Sequence, residues 1–452
     1  MNHSSAITHR FLSAALLTVI FAPGATAQTI SEDNKILVAD GQTGDQFGHA
    51  IATYSGLAVA GANTDDDNGL NSGSAYIINL TSNKLPVKIL AIDGNPGDLF
   101  GFSVDIGPGI VGAAGGVLAI VGAPNDSDQG ANSGSAYLFH TSGAQYAKLL
   151  PNDGALGDNF GVSVAIDNGV AVVGAPEDDD NGIDSGSAYL FNAVTGSQYA
   201  KLTPNNGAAN DAFGHSVAIS NGIVAVGALR HENGGVVSGA VYLFNAVTGT
   251  QLAQLTPNDS TQFQQFGYSL AIDSNTVAVG ALGSASAFIF DAISFTQLSE
   301  LTPSTPGNGF GWSIGIDGNN VVVGALLDPI NGLQSGSGYL FNASTGIELA
   351  KLVPSDGAQL EQFGSSIAID IDLVVVGARN DDDNGQGSGS AYLFDIDCPA
   401  DINGDGVLNF FDISAFLTAF NNQNPIADFN NDGFWNFFDI SAFLAAFAAG
   451  CP

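Results

Sequence analysis

Two stretches near the C-terminus carry oxygen donors at a spacing that suits a hard cation. Asp401, Asn403, Asp405, Val407, Asn409 and Asp412 stand at places 1, 3, 5, 7, 9 and 12 of one loop. Asp428, Asn430, Asp432, Phe434, Asn436 and Asp439 repeat the pattern 27 residues later. Ca²⁺ takes about six to eight oxygens, with a backbone carbonyl at the seventh place and often a water at the ninth. Gly406 and Gly433 stand where the loop must turn sharply. Aspartate at the twelfth place has a shorter reach than glutamate. Calcium is the expected cofactor of both loops.

A second acidic pattern lies upstream. Asp65–Gly69, Asp178–Gly182 and Asp381–Gly385 each read D-D-D-N-G, and Asp126-Ser127-Asp128 is a looser relative. Alternating carboxylates on a tight turn can converge on a cation, so Asp65/Asp67, Asp178/Asp180 and Asp381/Asp383 are further candidate calcium ligands. The same residues also suit a solvated acidic turn whose side chains bond their own backbone.

The elements that position these loops repeat. Phe-Gly occurs at 47–48, 100–101, 160–161, 213–214, 266–267, 310–311 and 363–364, at intervals of 53, 60, 53, 53, 44 and 53 residues. Seven copies at a near-fixed period indicate a repeat architecture. In the third copy, Gly161–Ile166, Val170–Gly174, Ser187–Phe191 and Gln198–Leu202 read as strands separated by turn signals. Four strands in about 50 residues is the size of a propeller blade. The last copy ends at Phe394 without a fourth strand, and Lys35–Val38 at the other end matches the missing one. That spare strand is expected to close the ring and protect its edges. In the fourth and sixth copies the acidic loop is rewritten, as Arg230–Gly235 and Asp328–Gly332, and in the fifth it is deleted, so one face of the ring varies.

The pattern FG…VVVGAP…DDDNG…SGSAYLF, over roughly residues 35–395, resembles FG-GAP repeats. The resemblance implies an all-β seven-bladed propeller like the head of integrin α chains, with calcium in the acidic loops. Integrin-type loops space their ligands D-x-D-x-D-G, where this chain has three adjacent aspartates.

From Cys398 the composition changes. Each C-terminal loop is EF-hand-type and runs into one amphipathic helix, with Ile413, Phe416, Leu417 and Phe420 and then Ile440, Phe443, Leu444 and Phe447 at helical spacing. Such loop–helix duplicates resemble dockerins, and the ending Ala-Gly-Cys-Pro resembles their Gly-Cys subtype. The resemblance implies a small α-helical domain that binds a cohesin-like or envelope scaffold. Phe410-Phe411 and Phe437-Phe438 occupy the partner-reading places; they either fill the small core or form an exposed partner patch. Cys398 and Cys451 bracket the module, and in an exported chain a disulfide is the default reading. It would contribute on the order of 4 kcal/mol.

Residues 1–27 read as an export signal: Arg10, the apolar run Phe11–Ala22, and Ala25-Thr26-Ala27 as cleavage site. The run is too short to span a bilayer, and no later segment is long and apolar enough. The expected domains are thus 1–27 signal, 28–397 propeller and 398–452 dockerin-like module. The 44 acidic against 9 basic residues, a net charge of −35, exclude nucleic acid as a partner. No Ser/His/Asp order, histidine cluster or phosphate-cradling loop stands apart from the repeat background, so no catalytic residue is assigned. The histidines read as ordinary strand or loop residues. The expected function is that of an exported recognition or adhesion protein, not an enzyme. The propeller would present a binding face, to an extracellular glycan or matrix among other ligands. The alternative is a secreted protein that binds or degrades polysaccharide and is delivered by its dockerin.

Overall fold

The computed structural model describes residues 28–82, 84–109, 116–305, 308–403, 408–430 and 433–449. The expected export signal, residues 1–27, lies outside them.

Seven antiparallel sheets form the blades. In the third, Ser163–Asp167 is innermost, followed by Val170–Ala175, Ser187–Asn192 and the outer strand Ser197–Leu202, in the order the sequence predicts. The seven inner strands contact one another in a closed circle, the last against the first. Their side chains line an axial cavity of about 280 Å³.

Each second strand is buried over nearly its whole length because neighbouring blades cover both faces. The alternation of apolar and polar residues expected of a half-exposed strand is therefore absent, and runs such as Val321–Val323 are apolar throughout. All seven Phe-Gly phenylalanines are fully buried. Phe160 meets Tyr189 and Phe191 of its own blade's third strand edge-on, at centroid distances of 5.5 and 5.8 Å.

Ring closure follows the sequence expectation. Asn34–Ile36 pairs antiparallel with Ser390–Asp395, setting Lys35 opposite Tyr392 and completing the seventh blade. One feature is additional: Gln28–Ser31 pairs in parallel with Glu348–Val353, as a fifth strand on the sixth blade. The N-terminal segment thus straps two blades together.

The deleted loop of the fifth blade is replaced by the short 3-10 turn Leu282–Ser284 without loss of a strand. At the other end of the chain, α1 (Phe410–Asn421) and α2 (Phe437–Ala449) follow the two C-terminal loops. Phe416 and Phe443 stack at 4.0 Å with planes 2° apart, and the repeat is paired about this contact. Among the described residues no helix is long and apolar enough to cross a membrane.

Candidate functional sites

The acidic loop joins the second strand to the third, at the same end of the blade as Phe-Gly, because the first and second strands run antiparallel. In the third blade Asp178 is buried, and its Oδ1 accepts the Asp180 N–H at 3.1 Å. Its other oxygen accepts the Tyr189 hydroxyl at 2.7 Å. The outer strand brings Lys201 opposite Tyr189, and its ammonium reaches Asp178, Asp180 and Asp153 at 2.9, 2.5 and 2.8 Å.

The arrangement recurs. Lys88 joins Asp40, Asp65 and Asp67; Lys148 joins Asp93, Asp126 and Asp128; Lys35 joins Asp356, Asp381 and Asp383, all at 2.6–3.0 Å. The sixth blade keeps a reduced version, with Lys351 2.8 Å from the buried Asp328. Burial works against each lysine's charge, but the carboxylate hydrogen bonds outweigh it and raise the ammonium above its ordinary range. Asp178 is likewise desolvated, yet Lys201 and Tyr189 hold its carboxyl below the usual range.

The structure therefore brings together all three aspartate pairs expected to bind calcium, with a lysine ammonium between the carboxylates of each. Sequence reasoning gave these lysines no role beyond the strand match of Lys35–Val38. It also passed over the sixth blade, where Asp328 keeps the first acidic place. Of the histidines, His231 is buried and bonds Asp211 through Nδ1 at 2.8 Å, filling the fourth blade's acidic place.

A second constellation lies at the same end, around the axis. The residue after each Phe-Gly opens the inner strand, and in five blades it is His49, Phe102, His215, Tyr268 or Trp312. Rings of adjacent blades meet: His49 with Phe102 at 5.1 Å, His215 with Tyr268 at 5.1 Å, and Tyr268 with Trp312 at 5.2 Å. The guanidinium of Arg379 lies 5.5 Å over Trp312 and donates to Gln362 Oε1 at 2.8 Å. These side chains are half-buried. Burial, assisted by Arg379, lowers His49 to about 3, and burial with Arg230 lowers His215 to about 4, so both rings are neutral at pH 7. At the same rim His49 Nδ1 and Asn63 Oδ1 are buried with no hydrogen-bond partner among the described residues.

In the C-terminal module the loop ends are tied down by capping. Asp412 is fully buried; its carboxylate accepts the N–H groups of Asn403 and Asn409 at 3.3 and 2.9 Å. Asp439 does the same for Asn430 and Asn436, at 3.3 and 2.8 Å. Places 3, 9 and 12 are thus drawn together in both loops. Asn409 and Asn436 also accept from Phe411 N and Phe438 N as helix caps. Asp428 Oδ2 accepts Gly433 N at 2.9 Å, curling the second loop.

Asp405, Val407 and Asp432 lie outside the described residues. The described donors, Asp401, Asn403, Asp412, Asp428, Asn430 and Asp439, are all oxygen donors of the kind Ca²⁺ prefers. Phe434 is exposed, and its backbone carbonyl accepts from the Asn436 side chain. Phe410, Phe411, Phe437 and Phe438 are 68–73% exposed, so the module's core is built without them. Cys398 is not a free thiol, and Cys451 lies outside the described residues.

No curated protein matches the chain. A family model, the FG-GAP repeat, matches residues 30–78, 85–139, 144–191, 197–244, 250–290, 295–341 and 347–394. Each match begins near the outer strand of one blade and ends on the third strand of the next, the same offset that lets the N-terminal strand complete the seventh blade. With seven matches covering most of its length, the chain belongs to the FG-GAP repeat family.

Proposed function

We propose that the chain is an exported recognition or adhesion protein whose propeller holds a ligand on its loop face. The observation that carries this reading is the axial collar. His49, Phe102, His215, Tyr268 and Trp312 occupy one repeat position but differ in kind, which the fold alone does not require, since Val162 and Ser365 fill the same place in the other two blades. Half-exposed rings offer stacking surfaces, and Arg379 offers directed donors. The net charge of −35 disfavours polyanions. The collar gives the second reading, a secreted polysaccharide-binding protein, its specific support, because sugar rings present flat apolar faces to aromatic side chains. The chain acts by binding and not by catalysis: the His231–Asp211 pair is buried, where it braces a loop.

The C-terminal module would anchor this face. Its two loops bind calcium through Asp401, Asn403, Asp405, Val407, Asn409 and Asp412 and their counterparts, and Cys398 pairs with Cys451. The exposed Phe410, Phe411, Phe437 and Phe438 then meet a cohesin-like or envelope scaffold protein.

The test uses the full mature chain on glycan panels and on envelope and secreted fractions. Trp312→Ala with Arg379→Ala is expected to lower ligand retention at least about tenfold, a loss typical of central aromatic and arginine anchors. Unchanged retention rejects the collar, and turnover of a glycan rejects the non-catalytic reading. Capture of a scaffold in calcium, lost in Asp401→Ala with Asp428→Ala, supports anchoring; equal capture in chelator rejects it.

A further inference from the structure

We infer that the acidic loops of five blades are held by a built-in ammonium standing where a metal ion would otherwise sit, so that the propeller forms its loop face without calcium. Three observations carry this.

The first is the coordination. An ammonium has three donors and no acceptor. Lys35, Lys88, Lys148 and Lys201 each meet three carboxylates at 2.5–3.0 Å, which satisfies every donor. The remaining side is covered by the ring of Tyr392, Tyr76, Tyr137 or Tyr189, 4.8–5.4 Å away. An ammonium within 3 Å of all three carboxylates occupies the place a calcium ion would take, and its charge repels one. In addition, Oδ1 of Asp65, Asp126, Asp178 and Asp381 is engaged by a backbone N–H of its own loop.

The second is burial. These lysine side chains are 15–18% exposed, and the first aspartate of each loop is 1–3% exposed. A carboxylate this buried needs a compensating charge, unlike one in a surface ion pair.

The third is covariation among blades of one chain. Wherever the first acidic place is aspartate, the outer strand carries lysine: Asp65 with Lys88, Asp126 with Lys148, Asp178 with Lys201, Asp328 with Lys351, Asp381 with Lys35. In the fourth blade the aspartate becomes His231 and the lysine becomes Gln254. In the fifth the loop is gone, the lysine place holds Glu300 and the tyrosine place Phe288. Lysine and aspartate are kept and lost together, as a charge pair requires. A lysine kept only for its apolar stem would not track the loop.

Calcium response would then be confined to the C-terminal module. The test is calcium binding by equilibrium dialysis and thermal unfolding of the full chain, in calcium and in chelator. The wild type is expected to hold no more than two ions per chain, with a propeller transition at the same temperature in both. Lys148→Met leaves the oxygens of Asp93, Asp126 and Asp128 within 4.8 Å of one another. This variant is expected to unfold about 2–5 °C lower in chelator, to recover in millimolar calcium and to bind one further ion. Gln254→Met, at the uncharged place of the fourth blade, should change neither. If Lys148→Met does not fold, Lys88→Met, which leaves Asp40, Asp65 and Asp67 together in another blade, is read in the same way. A third ion on the wild type, or a lysine variant with unchanged unfolding in chelator or no calcium recovery, overturns the inference.

Discussion

Tyr189 and Tyr242 occupy the same place in adjacent blades and differ in what their hydroxyls meet. Tyr189 donates to the buried Asp178, whereas the buried Tyr242 hydroxyl has no hydrogen-bond partner among the described residues. Hydrogen bonds to charged groups are worth about 1.5–3 kcal/mol, and an unsatisfied buried hydroxyl is worth nothing or less. Tyr189→Phe is therefore expected to lower stability by about 1.5–3 kcal/mol in urea unfolding, and Tyr242→Phe to leave it unchanged or raise it. No loss at either position would show that both are valued for ring packing alone. Phe288 at the same place in the fifth blade shows that the ring by itself fits. At this scale the acidic residues were legible because Asp-Asp-Asp-Asn-Gly is a local word. Their lysines were not, because Lys201 is 23 residues from Asp178 and only strand pairing brings them together.

At the scale of elements, the two glycines that give the repeat its pattern have one shared reason. A Cβ on the second-strand Gly174 would overlap the Gly214 carbonyl oxygen in the next blade. Gly214 itself sits at φ +93° and would drive a Cβ into Ser187 O. The same approach joins Gly61 to Gly101, Gly122 to Gly161 and, across the closure, Gly377 to Gly48. Ser163 Oγ donates to the same Gly214 carbonyl at 2.7 Å, locking the approach. Gly174→Ala forces the blades apart, and urea unfolding should show a loss of about 3 kcal/mol or more. Gly222→Ala, in an open turn where φ is also positive, should cost about 1 kcal/mol. Strand identity and order were readable from β-branched runs and turn residues. The glycine contacts were not, because each partner lies in another repeat.

For the molecule as a whole, stability depends on closing the circle. Removing residues 28–37 deletes the outer strand of the seventh blade, the parallel strand on the sixth and the Lys35 ammonium among Asp356, Asp381 and Asp383. It also exposes two strand edges. The truncated chain is expected to unfold about 10 °C lower and to form oligomers by size-exclusion chromatography. A monomer of unchanged stability would show that the strap is dispensable.

By itself the sequence determined the number of blades, their strand order, the place of closure and the two loop–helix repeats at the C-terminus. Those features are written in local periodicity and in a repeat counted seven times over. Tertiary structure decided what the acidic loops hold, that Gln28–Ser31 lies on the sixth blade, and that five aromatic or histidine residues following Phe-Gly gather into one collar. Each depends on which strands end up side by side, and a ring places residues from distant repeats in contact. A charge reads as solvated until the fold shows its neighbour; here the fold puts an ammonium within 3 Å of each first aspartate.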